Sequence, residues 1–152
     1  MLALIRTITL CLMLAPPPVL AADTPTSTNA PDLADPRAKI AAKDWRGAIT
    51  ELTTIADRVT HADVYNLLGF AYRKSGDTRS AATWYGKALD FDPDHKSALE
   101  YQGEMFVETK QMDKARGNLA RLERLCPTGC EELDDLRKAV TAAEAAAPKA
   151  RR

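Results

Sequence analysis

Catalytic signatures are missing from this chain. It contains no GxSxG, HExxH, Walker-type loop or GxGxxG, so the local geometries those chemistries depend on have no sequence counterpart. Histidine is scarce: His61 and His95 are the two present, both in stretches that read as turns, which leaves little for a triad. An excess of charge is missing too. Twenty-one Lys+Arg balance 21 Asp+Glu, which removes any global electrostatic case for nucleic acid. Asp and Glu are plentiful but scattered along helix faces, as solvated charges are. No enzyme, no cofactor and no metal centre is expected from this inventory.

The chain also lacks a hydrophobic run long enough to stay in a membrane. Thr7 to Ala15 are almost wholly apolar, but so short a run cannot cross a hydrocarbon core of ~30 Å. A weakly basic start with Arg6 precedes them, Pro16 to Pro18 break any helix, and Val19-Leu20-Ala21-Ala22 offers small residues for cleavage. Residues 1–22 therefore read as a secretory signal peptide, with no stable membrane anchor once it is removed. Cys11 does not make it a lipoprotein signal, because Leu10 stands where such sites want a small residue. Residues 23–35, rich in Pro, Thr, Ser, Asn and Ala, read as a flexible leader. Residues 141–152 read as a fraying Ala-rich tail that breaks at Pro148 and ends in Lys149, Arg151 and Arg152.

What the middle of the chain does have is a repeat. Gly69 and Gly103 are separated by the same interval as Ala81 and Ala115, Tyr72 and Phe106, and Pro93 and Pro127. A period of about 34 residues means stacked helical hairpins, a surface for holding partners rather than an enclosed pocket. Within each unit the pattern is helical. Tyr65, Leu68, Gly69 and Tyr72 recur at i, i+3, i+4 and i+7. Thr60 with Asp63 reads as a capping pair ahead of them, and Gly76 suits a left-handed residue behind them. Ala81, Trp84, Tyr85, Ala88 and Leu89 follow on the partner helix, and Pro93 prevents its continuation. The next unit repeats this with Leu99, Gly103 and Phe106, then Ala115, Leu119 and Leu122, then Pro127. Upstream, Ile40 belongs to a short helix and Ala48, Ile49, Leu52 and Ile55 to its partner. That hairpin is irregular, since the step from Ala48 to Ala81 falls one position short of the period. A last helix begins near Gly129, with Thr128 and Glu131 as a capping box and Leu133, Leu136 and Val140 as its buried stripe. A glycine inside a helix costs ~1 kcal/mol against alanine, so Gly69 and Gly103 need a packing reason. The hairpin reading has them face Ala81 and Ala115.

On these residues the chain resembles the tetratricopeptide repeat family. Tyr65, Leu68, Gly69, Tyr72, Ala81, Tyr85, Ala88 and Pro93 agree with its signature by residue class at every position. The next copy agrees at Gly103, Phe106, Ala115 and Pro127. It departs at Gln102, where an apolar residue is usual, and at Lys110, where a turn glycine is usual. The first copy keeps only Trp45, Ala48 and some apolar positions. The resemblance covers residues 36–140 and implies an all-α fold: antiparallel helical hairpins in a short right-handed solenoid of about 2.5 to 3 repeats, plus a capping helix from about residue 129. The run Leu125-Cys126-Pro127-Thr128-Gly129-Cys130 also resembles exported bacterial members with a CPxGC pair, which implies a bacterial periplasmic or secreted protein.

In that family the first helices of successive hairpins line a groove that binds a peptide or helix of another protein. Carried over, the groove would present Asp63, Asn66, Phe70, Arg73 and Lys74, then Ser97, Glu100, Glu104 and Glu108. A basic patch would thus stand beside an acidic one. Phe70, Tyr101 and Glu104 occupy places where a carboxylate clamp wants polar or basic groups, so that activity is not implied. Self-association is compatible with so few repeats. Cys126 and Cys130 are the remaining feature. In an oxidising compartment two thiols this near in sequence pair, and one helical turn would set their Cα atoms ~6 Å apart. A redox-active pair is the competing reading, since Cys130 would lie in a helix's first turn. Against it, CxxxC is not CxxC and no βαβ pattern surrounds it. Metal binding by both thiolates with His95 is a third.

Overall fold

The computed structural model describes residues 30–147. The signal segment 1–22, most of the leader and residues 148–152 lie outside that range. Seven helices follow in order: α1 (Ala34–Ala41), α2 (Trp45–Ala56), α3 (Ala62–Lys74), α4 (Thr78–Phe91), α5 (Lys96–Glu108), α6 (Met112–Leu125) and α7 (Glu131–Ala146). Among the described residues there is no strand. Helices α1/α2, α3/α4 and α5/α6 form three antiparallel hairpins, and α7 closes the stack against α5 and α6. The fold is the all-helical hairpin stack that the period predicts.

Each hairpin turns in the same way. Gly76 takes φ 93°, and its neighbour Asp77 donates its backbone N–H to the Tyr72 carbonyl, closing the end of α3. Lys43 and Lys110 occupy the matching positions in the other hairpins, both at φ 59°, with Asp44 and Gln111 donating to Lys39 and Phe106. The lysine at position 110 thus adopts the left-handed conformation the repeat requires, despite its Cβ. Asp44 and Asp77 then cap the second helices, accepting from the backbone N–H of Gly47 and Ser80.

Helices α3 and α5 are capped by histidines, in keeping with both His residues standing at turns but not with the Thr60 cap expected for α3. His61, not Thr60, caps α3, its Nδ1 accepting from Asp63 N–H at 3.2 Å. His95 does the same for α5, accepting from Ala98 N–H at 3.1 Å. A neutral imidazole nitrogen is as competent an acceptor here as a hydroxyl. The capping box of Thr128 and Glu131 does not form either. Helix α7 starts at Glu131 with Cys130 at its cap position and no side-chain cap bond, and runs through Ala146, beyond Val140. At the other end, α1 takes in Ala34 and Asp35, the last residues of the stretch read as leader, and Leu33 is buried in the first core cluster.

The core follows the repeat. Ala48, Ala81, Ala88 and Ala115 are fully enclosed, as are Leu52, Leu68, Leu99, Leu122 and Tyr85. Tyr65, Tyr72 and Phe106 are half-buried between hairpins, whereas Pro93 and Pro127 are exposed and act only as helix stops. The glycines do not face the alanines. A Cβ on Gly69 would lie 2.5 to 2.9 Å from three ring atoms of Tyr85, and one on Gly103 would lie 2.6 and 2.7 Å from the Leu136 methyls of α7. The smallest residue of one helix admits the largest knob of its neighbour, so small does not meet small. Gln102 is also accommodated: buried Asn118 donates its Nδ2 to both Gln102 Oε1 and the Leu99 carbonyl at 3.0 Å. A polar pair thereby replaces the usual apolar contact without orphaning either group.

Candidate functional site

Helices α1, α3 and α5 are the first helices of the three hairpins, and together they bound a cavity of about 240 Å³. Arg37, Ile40 and Ala41 come from α1, Leu67 and Phe70 from α3, and Tyr101 from α5. The Phe70 and Tyr101 rings pack at 5.0 Å between centroids, and Trp45 meets Phe70 edge-on at 6.3 Å. Lys74 lies over the Phe70 ring at 5.2 Å, a cation–π contact at the rim. Phe70 and Tyr101 are half-buried, each keeping part of its ring in solvent. The floor is thus apolar and aromatic, with amphipathic edges at hand.

The charged residues of the expected groove are arranged otherwise than the sequence reading has them. Arg73 is buried. Its Nε and Nη2 donate to Glu108 at 2.9 and 2.5 Å, and its Nη1 donates to Glu104 at 2.8 Å and to the Tyr101 carbonyl at 3.3 Å. Burial works against its charge, but the hydrogen bonds to Glu108 and Glu104 outweigh burial and hold the guanidinium more firmly protonated than usual. The same bond draws the Glu108 carboxyl below its ordinary range. So the basic and acidic patches do not stand side by side awaiting a partner; they meet each other across α3 and α5. Asp63 bonds His95 Nε2 at 2.9 Å, and Ser97 donates to Glu132 at 3.4 Å. Asn66 is buried, its Oδ1 without a hydrogen-bond partner among the described residues. Of the expected groove residues, Phe70 lines the cavity, Lys74 and Glu108 are exposed, Asp63, Ser97 and Glu104 are partly buried, and Asn66, Arg73 and Glu100 are buried.

Glu100 is the exception among the acids. It is 7% exposed, and no described residue pairs with it. Burial first, then the carboxylates of Glu104, Asp135, Glu132 and Glu131, push its carboxyl up to about 8. Tyr101, next in sequence, is raised by burial and by Glu100, Glu104, Glu131 and Glu132. Its ring therefore belongs to the apolar floor and its hydroxyl to the acidic wall.

Cys126 and Cys130 stand at the α6–α7 junction with Cα atoms 5.8 Å apart, across a loop rather than along one helical turn. Cys126 is buried in the core cluster shared by α5, α6 and α7. His95 cannot join them as a ligand, because both its ring nitrogens are committed, one to Ala98 N–H and one to Asp63. The sequence reading misses Leu67, Arg37 and Asn118, and gives Tyr101 no place on the floor. Leu67 and Tyr101 lie one period apart, so the repeat itself carries the signal for that pair.

Residues 62–95, the α3/α4 hairpin with its flanking turns, match the tetratricopeptide repeat. A curated relative, "Uncharacterized protein ycf37" of Pyropia yezoensis, is 31% identical over 77 residues, 51% of this chain and 41% of that protein. The chain therefore spans less than half the length of the relative it matches.

Proposed function

We propose, for a chain that carries a tetratricopeptide repeat, that it is a non-catalytic docking module which seats a peptide or helix of another protein on the concave face of α1, α3 and α5. The observation that carries this reading is the half-buried Phe70–Tyr101 pair lining the 240 Å³ cavity. Large aromatic side chains left partly in water at a concave surface are what binding hot spots are made of. An amphipathic helix laid into such a groove would cover them. Arg73, Glu104 and Glu108 already satisfy one another, so the aromatic floor supplies the main share of the affinity.

The apolar stretch and small-residue site within segment 1–22 support a compartment: export to the periplasm or beyond, where a Cys126–Cys130 disulfide would staple α6 to α7. With so short a loop, the staple contributes ~1–2 kcal/mol at most. Pull-down from the native extract, read by mass spectrometry, tests the module. A partner captured by the wild type and lost with Phe70→Ala supports it, and a capture list identical for both proteins defeats it. The Cys126→Ser/Cys130→Ser double variant separates this from a thiol-redox or metal-handling role. The docking reading expects a slightly lower melting temperature and intact capture. Unchanged melting with lost activity would favour the thiol role.

A further inference from the structure

We propose that the docked segment inserts a lysine or arginine against Glu100, in the wall between α5 and α7, while its apolar neighbours cover Phe70, Tyr101 and Leu67. This rests on the docking reading above and adds the chemistry of what docks. Three observations converge. Glu100 is more than nine-tenths buried yet lacks any hydrogen-bond or ion-pair partner among the described residues. Its carboxyl oxygens are not fully enclosed, so they keep a little access from outside, where a cation can meet them in place of water. Next, the groups that face it share its sign: Glu104 on its own helix and Glu131, Glu132 and Asp135 on α7. The guanidinium that α3 sends across is already bound to Glu104 and Glu108, and among the described residues Glu132 accepts only the long bond from Ser97. Finally, Tyr101 makes the acidic wall continuous with the apolar floor, since its ring packs on Phe70 while its hydroxyl lies in the field of Glu100, Glu104, Glu131 and Glu132.

A metal ion is a poor occupant. Among the described residues, no three His, Cys, Asp or Glu side chains converge closely enough to coordinate one. A guanidinium spreads five donors over several ångströms and an ammonium turns three on a flexible stem, which suits carboxylates that surround a site without meeting at a point. Its arrival would ionise Glu100 and expel a proton, so binding should strengthen as pH rises toward the carboxyl's value of about 8.

Panning a random peptide display library with the full chain, and in parallel with Glu100→Gln and Phe70→Ala, tests this. The wild type should enrich peptides with a Lys or Arg flanked by large apolar residues. Synthetic copies of these should bind Glu100→Gln on the order of tenfold more weakly. Their affinity for the wild type should rise several-fold between about pH 6.5 and about pH 8, and stay flat for Glu100→Gln. Enriched peptides without a basic residue, or equal binding by Glu100→Gln, would overturn the proposal and leave the docking reading standing. No enrichment over Phe70→Ala would remove both. Self-association that disappears when Lys149–Arg152 are deleted would put a second copy's tail on this wall and overturn the assignment to a foreign segment. A melting curve of Glu100→Gln at or above that of the wild type excludes misfolding as the cause of weak binding.

Discussion

Glycines in the middle of α3, α4, α5 and α6 allow one substitution to be read against different surroundings. An added Cβ at Gly69 would lie 2.5, 2.7 and 2.9 Å from Cδ1, Cε1 and Cγ of Tyr85. Carbon pairs settle at about 3.5–4.0 Å, so the overlap is about 1 Å. The ring that must yield is fully enclosed. Overpacking of that kind costs ~1–3 kcal/mol, while the exchange of glycine for alanine in a helix returns ~1 kcal/mol. Gly69→Ala should therefore lose up to ~2 kcal/mol. Gly86 and Gly117 have nothing within 4 Å of the added carbon, so the same change there should gain ~0.5–1 kcal/mol each. Gly103→Ala falls between, because the Leu136 methyls it meets end a flexible side chain. The difference between Gly69→Ala and Gly86→Ala isolates the overlap at ~2 kcal/mol, or roughly 8 °C in a domain of this size. Thermal and urea unfolding followed by circular dichroism would measure it. Equal melting temperatures for those two variants would refute the account of how α3 and α4 nest.

Arg73→Met leaves Glu104 and Glu108 without their partner and should cost ~2–3 kcal/mol, the half-exposed Glu108 taking it below the usual range for a buried pair; a loss under ~1 kcal/mol in urea melts would mean the guanidinium does not join α3 to α5. Lys110→Gly relieves a left-handed lysine at φ 59° and should gain ~0.5–1 kcal/mol, whereas Gly76→Ala, at φ 93°, should lose about as much; gains at both sites would show that the turns are not under conformational constraint. The carboxyl of Glu100 is raised to about 8 in the fold from an ordinary 4.5, so between those values the folded chain holds a proton that the unfolded chain has released. Stability is then fully present below pH 4.5 and falls as pH rises to about 8. Discounted for the residual solvent access of its oxygens, Glu100→Gln should recover ~1–2 kcal/mol at about pH 9 and little at about pH 4. Urea midpoints at the two pH values check the sign.

How much of this was legible in the sequence depends on the kind of contact. Leu68, Ala81 and Ala115 were readable because the repeat period fixes which face of each helix is buried, and burial is what the period reports. Who touches whom was less readable. Gly69 and Ala81 share a hairpin, and small beside small is the natural pairing, yet close packing fills a gap with bulk, and Tyr85 supplies it. Both histidines were legible as turn residues, but the α3 cap went to His61 rather than Thr60 because a ring nitrogen can do the work of a hydroxyl. In the groove, Arg73 precedes Glu104 and Glu108 by 31 and 35 residues, close to one period, so these charges had to lie side by side on neighbouring helices. Reading each helix face separately hides that. Glu100 was placed in the groove, but its burial among acids was hidden for the opposite reason: its neighbours on α7 fall outside the repeat.

The core is distributed unevenly along the stack. One cluster gathers α1 to α4 and another gathers α5 to α7, and the cluster between them encloses only Ala81, Tyr85 and Met105 among the described residues. The Arg73 bonds cross the same seam. Cohesion between the two halves of the molecule therefore depends on a few contacts, the Arg73 guanidinium, the Asp63–His95 bond, the Phe70–Tyr101 packing and a thin apolar patch, with the proposed ligand lying astride them. A guest bridging Phe70 and Glu100 would clamp the seam shut from outside, so occupancy and rigidity of the scaffold become the same event.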